Sequence, residues 1–221
     1  MSGTFIFTFD DGLSSVYDHA FPHLRERGIR GVSFVCGSLV GTPGYMTVDQ
    51  LRELQDAGWD VCSHGYVHQK MDAMHIDEAV GNITANLEWM WEKGFAATRL
   101  FCFPWGRTTN AIGAVMPNYH AYARGVRLHA NRLFEDFPPD RPEYLTAVHF
   151  DSEFDVMELE TVFNLMEGDE FTMSYSHKVH PVEVNGLTTS LEQIDQVIAA
   201  AGRAETRITT FHDMIEAHRA H

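Results

Sequence analysis

Phe7-Thr8-Phe9-Asp10-Asp11-Gly12 sets two adjacent carboxylates at the end of an apolar run, with a glycine directly behind them. The run itself, Thr4-Phe5-Ile6-Phe7-Thr8, is β-branched and aromatic and reads as a buried strand. Unpaired carboxylates are costly to bury, so a strand that ends in two of them needs a cation or a proton acceptor at its tip. Further along, Ser63-His64-Gly65-Tyr66-Val67-His68 supplies two imidazoles four positions apart. Two carboxylates and a His-x-x-x-His pair suffice to hold one metal ion and leave a base over.

The rest of the chain alternates between strand and helix patterns. Strands are predicted over 5–9, 31–36, 59–63, 100–103, 119–123, 145–150, 171–176 and 207–210. Helices are predicted over 14–27, 47–57 with Thr47 as N-cap, 76–93 stopping at Gly94, 109–116, 155–166 and 190–201. Such alternation implies an α/β protein with a parallel sheet, and repeated seven or eight times it implies a (β/α) barrel in one domain, residues 1–221. The one long loop covers 127–143 and contains Pro138, Pro139 and Pro142. In a parallel barrel the carboxyl ends of the strands carry the chemistry. Asp10 and Asp11 follow the first strand, His64 and His68 the third, Pro104-Trp105-Gly106 the fourth, and His177 the strand over 171–176. All of them project onto one face.

Bulk properties narrow the partners. A chain of 221 residues with 44% apolar and 12% aromatic content builds a substantial core. Its formal net charge of −15 argues against a nucleic-acid partner. Cys36, Cys62 and Cys102 cannot all pair and lie in apolar runs, which favours buried thiols over a disulfide framework. No run approaches the ~18 apolar residues needed to span a membrane. With the first strand beginning at once and no cleavable leader in view, a cytoplasmic location is the expectation.

One carboxylate and two imidazoles form a three-ligand set that leaves coordination positions open, which suits a catalytic divalent ion. Zn²⁺ is expected first, and the same donors accept Co²⁺, Ni²⁺ or Mn²⁺. A second carboxylate beside the ion serves as base. Gly65 stands where a His-Glu-x-x-His protease carries its glutamate, so the base must come from the Asp10–Asp11 pair. Chemistry alone does not say which of the two binds the metal.

Thr8-Phe9-Asp10-Asp11-Gly12 and Ser63-His64-Gly65-Tyr66-Val67-His68 resemble the first two motifs of the polysaccharide deacetylase family, carbohydrate esterase family 4. Phe101-Cys102-Phe103-Pro104-Trp105-Gly106 is similar to the third motif, and Ser174-Tyr175-Ser176-His177 to the last. The resemblance implies a deformed parallel (β/α) barrel and metal-dependent removal of N- or O-acyl groups, usually acetyl from amino sugars. It implies Asp10 as general base, Asp11, His64 and His68 as metal ligands, and His177 as the acid that protonates the leaving amine. The backbone N–H of Trp105 would stabilise the oxyanion.

Many members carry an arginine where this chain has Cys102, and that arginine orients the catalytic aspartate. A thiol cannot make a charge-assisted contact. Arg124 is the candidate substitute, with an ordinary surface arginine as the competing reading.

Other residues have plainer readings: His212, His218 and His221 as a solvated tail, His19 and His23 as surface histidines, Trp89 and Trp91 as packing. His180 is read equally as a rim residue and as a solvated loop histidine. Phe134 and Phe137 are read either as a stacking surface for substrate or as aromatics tucked under their own loop. The expected substrate is a carbohydrate or a small acyl amide. The rival readings are a same-scaffold amidohydrolase acting on a formamide, cyclic imide or ureide, and a non-catalytic carbohydrate-binding barrel.

Overall fold

The first strand is broken at Phe7 into β1 (Thr4–Ile6) and β2 (Thr8–Phe9), and the two pieces face different neighbours. In a computed structural model that describes residues 3–95, 99–126, 133–151, 155–182 and 186–220, this strand is the hub of the sheet. On one side lie β3 (Val32–Val35), β4 (Asp60–Ser63), β5 (Leu100–Cys102) and β6 (Tyr122–Arg124), in the order β2-β3-β4-β5-β6. On the other lie β7 (Val148–His149) and β8 (Phe171–Tyr175), in the order β1-β8-β7. Every pairing of these strands is parallel. Single bridges, Phe9 with Ser176 and Arg124 with Leu145, link the two sheets into a ring. The seam between β6 and β7 is that thin, which is what makes the barrel deformed.

A short strand pair, β9 (Lys178–His180) with β10 (Thr188–Ser190), lies outside the ring. The last strand, β11 (Arg207–Ile208), pairs with Thr4 and Phe5 of β1.

Side chains alternate across the barrel wall as a two-residue period demands. Ile6, Val32, Phe34, Cys62, Leu100, Leu145, Ala147, Phe171 and Met173 form the interior cluster. Phe5, Phe7, Phe9 and Val35 point outward and pack beneath the helices. Those helices are α1 (Phe21–Arg25), α2 (Val48–Asp56), α3 (Ile76–Glu92), α4 (Asn110–Val115), α5 (Val156–Leu165) and α6 (Leu191–Arg203). Capping boxes set the starts of α2 (Thr47 with Gln50), α3 (His75 with Glu78) and α6 (Ser190 with Gln193). From α3, Asn86 donates to the Val35 carbonyl (3.0 Å) and to Ser63 Oγ (2.8 Å) and accepts from Gly37 N–H (2.8 Å), tying the exits of β3 and β4 together.

Several sequence expectations are corrected. The helix predicted over 14–27 is a π-turn, Val16–Ala20, running into α1. Pro22 has no N–H for the α-helical ladder, and the Phe21 amide reaches back to the Val16 carbonyl instead. The strand predicted over 119–123 shifts to 122–124, because Met116–Asn118 forms a 3₁₀ turn; Arg124 thereby becomes part of the strand. The polar helix end read as a solvated tail does form a helix, α7 (Phe211–Arg219), but it is not solvated throughout: Phe211, Met214 and Ile215 complete the interior cluster and close the amino-terminal end of the barrel. His221 lies outside the described residues. The pair β9–β10 was not anticipated.

Of the long loop, 127–132 lie outside the described residues. Phe137 packs on Phe171 (6.1 Å between ring centres) and His218 (4.6 Å) at the closed end, so it is no substrate surface. Phe134 is half-buried against the outer core. Trp89 stacks on Phe95, but Trp91 is 82% exposed and packs little. The three cysteines are free and buried, as expected. No helix among the described residues is long and apolar enough to cross a membrane.

Candidate metal centre

Asp10 and Asp11 emerge where β2 ends, and the chain turns sharply at Asp11, whose φ of 70° is left-handed. A left-handed non-glycine residue is strained, and such strain gathers at functional sites. The turn splits the two carboxylates: Asp10 goes into the barrel mouth, Asp11 toward the loop after β4. Asp11 Oδ1 lies 3.4 Å from His64 Nε2 and 3.2 Å from His68 Nε2. The three donor atoms are within 4.8 Å of one another.

His64 is 2% exposed, and its Nδ1 sits 2.8 Å from the Cys102 carbonyl. Nδ1–H therefore donates to that oxygen and Nε2 is left as the free lone pair, the arrangement of a metal-ligating histidine. Asp11 Oδ1 is buried and makes no hydrogen bond of good geometry. Two ligands at about 2.1 Å from a shared tetrahedral ion stand about 3.4 Å apart, which is the spacing found here. The residues present fit a divalent cation.

Burial alone would raise the Asp11 carboxyl. The close approach of His64 and the electrostatic pull of the His64, His68 and His177 imidazoles outweigh burial and hold it at about 2. Burial, with His64 next to it, pushes the His68 imidazole below its usual value, which keeps its lone pair available. The reach of His177 to both residues places it on the same face.

Asp10 is 5% exposed and forms an ion pair through Oδ1 with Arg124, which is entirely buried. Arg124 also donates to the Gly125 carbonyl (3.1 Å) and lies 4.9 Å over the Phe34 ring and 5.8 Å from that of Tyr175. The Cys102 thiol is 3.8 Å from the other oxygen of Asp10. Cys102 and Arg124 are register partners on β5 and β6. The guanidinium therefore approaches the Asp10 carboxylate from the strand beside the one that carries Cys102.

A family model for polysaccharide deacetylase matches residues 2–122. The chain belongs to the polysaccharide deacetylase family. A curated relative whose name carries the same family, YxkH of Bacillus subtilis (strain 168), is 24% identical over 102 residues, 46% of this chain. The chain spans only 37% of that relative's length.

Solved structures of low identity share the fold over almost the whole chain. The Xyl-CE4 domain of a multidomain xylanase from the hindgut metagenome of Trinervitermes trinervoides superposes with a TM-score of 0.63 at 17% identity, over 98% of this chain and 91% of that one. A family 4 acetyl xylan esterase from Clostridium thermocellum, solved with a cobalt ion, gives 0.66 at 14%, over 97% and 91%. A CE4 family pseudoenzyme from Bacillus anthracis gives 0.66 at 12%, over 96% and 65%.

The family match covers the segments of Asp10, Asp11, His64, His68 and Trp105; Arg124 and His177 lie beyond it. His177 follows β8, half-buried, with Nδ1 enclosed and unpartnered among the described residues and its ring edge-on to Tyr175 at 6.2 Å. Trp105 sits in a tight 3₁₀ turn at φ 61°, with its ring 57% exposed, 5.4 Å from that of His68, and capped by Lys70 Nζ at 5.0 Å.

Sequence reasoning missed a second imidazole on this rim. His149 Nε2 lies 2.8 Å from Oδ2 of buried Asp151, and its ring stacks on Tyr175 at 4.7 Å. Tyr175 stands in the sequence reading only within the motif Ser174-Tyr175-Ser176-His177, and His149 and Asp151 carry no local signal. Of the pair His19 and His23, it is His23 that departs from the surface reading. His23 binds Asp195 of α6 at 2.9 Å instead of lying free on the surface, and His19 meets exposed His180 at 6.0 Å.

Proposed function

We propose that this protein is a divalent-metal-dependent hydrolase that removes acetyl, or another small acyl group, from N-acetylated sugars. The observation that carries the reading is the convergence of Asp11, His64 and His68 on one point, with Asp10 beside them and clamped by a buried arginine. Asp11, His64 and His68 would hold the ion, with Zn²⁺ favoured and Co²⁺, Ni²⁺ or Mn²⁺ accepted by the same donors. What such a cation supplies when bound is Lewis acidity toward an acyl carbonyl and toward water.

The chain's own groups do the rest. Asp10 takes the proton of the attacking water at Oδ2, the oxygen that the Arg124 pair leaves free. Arg124 fixes the carboxylate plane and has no proton to give up. Trp105, turned by its left-handed backbone, presents its N–H to the developing oxyanion. Its exposed ring forms a wall for the sugar. His177 delivers a proton to the departing amine, which leaves poorly until protonated.

The test combines metal analysis with acyl release. The purified protein is loaded with Zn²⁺ or Co²⁺ and offered N-acetylated glucosamine oligomers, acetylated xylan, and a panel of formamides, cyclic imides and ureides. Release of acetate from the first, abolished by a chelator and restored by metal, supports the reading. Turnover of the small amides alone moves the substrate to the rival amidohydrolase class. Glycan binding by the metal-loaded protein without any release would make it a binding barrel, an outcome worth a dedicated arm because a pseudoenzyme shares the fold.

A further inference from the structure

The two histidines of the centre are held in different ways. His64 is fixed through its own ring, by the bond from Nδ1 to the Cys102 carbonyl. His68 makes no such bond among the described residues, and its side chain is 24% exposed. Its ring leans on those of His64 (5.1 Å) and Trp105 (5.4 Å), and its polar anchoring is left to the backbone of the loop Gly65-Tyr66-Val67, which brings no polar side chain except the Tyr66 hydroxyl.

That loop is tied on one side to Ser38, whose N–H donates to the Tyr66 carbonyl at 3.0 Å, and on the side nearest His68 to one residue of α3. The Val67 N–H donates to Asn82 Oδ1 at 2.8 Å, Asn82 Nδ2 donates to the Val67 carbonyl at 3.1 Å, and the Tyr66 N–H donates to the Asn82 carbonyl at 3.1 Å. Asn82 is 7% exposed, so both ends of its amide are committed inside the protein. Asparagine is a poorer helix former than alanine, so α3 gains nothing from it locally. Gly65 matches it from the other side. Its φ is +76°, and a Cβ there would stand 3.0 Å from Asn82 Nδ2, so glycine supplies both the left-handed turn after His64 and the room for the amide.

We propose that Asn82 is the positioning residue of the metal centre: by clamping Val67 at both its amide and its carbonyl, it sets His68 opposite Asp11 before any ion arrives. This rests on the reading of Asp11, His64 and His68 as a ligand set. A loop ordered in advance spares the ion the entropy of ordering it, and that saving appears as affinity.

The experiment measures Zn²⁺ affinity by competition with a chromophoric chelator, and the visible spectrum of the Co²⁺-loaded protein, for Asn82→Ala, Gly65→Ala and the double variant. Each single variant should bind Zn²⁺ about 10–100-fold more weakly and shift the Co²⁺ bands. The double variant should be no weaker than the worse single one, because both disturb the same contact. Folded variants with wild-type Zn²⁺ affinity and an unchanged Co²⁺ spectrum overturn the proposal, even if the metal-free melting temperature falls, since that is what a merely structural asparagine would give. Should Asn82→Ala fail to fold, Gly65→Ala leaves α3 intact and decides alone. A wild-type protein that takes up neither ion overturns the metal reading itself and this proposal with it, whereas wild-type uptake with unaffected variants overturns only this one.

Discussion

The two ends of the barrel treat buried carboxylates in opposite ways. At the open end, Asp11 is surrounded by imidazoles and its pKa is drawn down to about 2. At the closed end, Asp60 at the start of β4 is 8% exposed, and burial pushes it up to about 6. The N–H of His212, in the first turn of α7, bonds Asp60 at 2.9 Å but only partly offsets the desolvation. The open end keeps an enclosed carboxylate oxygen without a hydrogen bond and two left-handed non-glycine residues, Asp11 and Trp105. The closed end spends its side chains on packing, with Phe211, Met214 and Ile215 filling the mouth that α7 covers. One end is built to hold charge for a partner, the other to seal.

The largest effects should come from the open end. Asp10→Asn keeps the shape of the side chain and removes the base; acyl release should fall by about 10²–10⁴-fold with metal content unchanged. Arg124→Cys removes a fully buried guanidinium and leaves Asp10 unpaired, which should cost about 3–5 kcal/mol of stability as well as turnover. Because Cys102 is the register partner of Arg124, the swap Cys102→Arg with Arg124→Cys returns the cation to the same carboxylate from the neighbouring strand. Turnover by the swapped protein should exceed that of Arg124→Cys by about tenfold, as expected of two coupled positions. No recovery would mean that Arg124 serves the barrel and not Asp10.

How much of this contrast was legible in the sequence follows from the distance between partners. The ligands at the open end announce themselves because each motif is short and local: two aspartates before a glycine, and two histidines one helical turn apart in spacing. Strand and helix alternation then suffices to bring the motifs to one face. The closed end needs Asp60 to meet His212, and no local pattern encodes such a pairing. Phe211, Met214 and Ile215 do carry helical i, i+3, i+4 spacing, but they sit among histidines and charges that read as a solvated tail. Asn82 was invisible for a third reason: a lone asparagine inside an amphipathic helix carries no spacing signal, and its role exists only against the loop that it holds.

The intermediate effects concern pH. Asp60 is raised from an ordinary 3.8 to about 6, so between those values the folded chain keeps a proton that the unfolded chain releases. Stability therefore falls as pH rises through that window, and the deficit is complete above about 6. Asp60→Asn should abolish this slope and, above pH 7, leave the variant more stable than the wild type by about 1–3 kcal/mol. For Asp11 the sign reverses. Its carboxyl is lowered to about 2, so in the metal-free protein it contributes stability above pH 4 that is lost as pH falls toward 2. Asp11→Asn should flatten that acid limb by about 2 kcal/mol. Urea titrations of both variants across pH 2–8 would show whether the two windows are separable.

The smallest effects separate the ends through one ring each. Trp105 is 57% exposed beside His68, so Trp105→Ala should leave the melting temperature almost unchanged. If its face supports the sugar, KM for an N-acetylated oligomer should rise by about 2–10-fold with kcat nearly constant, since the Trp105 N–H is retained. At the other end the His218 ring meets Phe137 at 4.6 Å and its Nε2 lies 3.6 Å from Asp169. His218→Ala should cost no more than about 1 kcal/mol of stability and leave KM alone. The two variants must cross over, one moving KM without stability and the other stability without KM. If Trp105→Ala lowered the melting temperature by as much as His218→Ala and left KM fixed, the exposed tryptophan would be a packing residue, and the open end would have lost this aromatic wall on the side of β4 and β5.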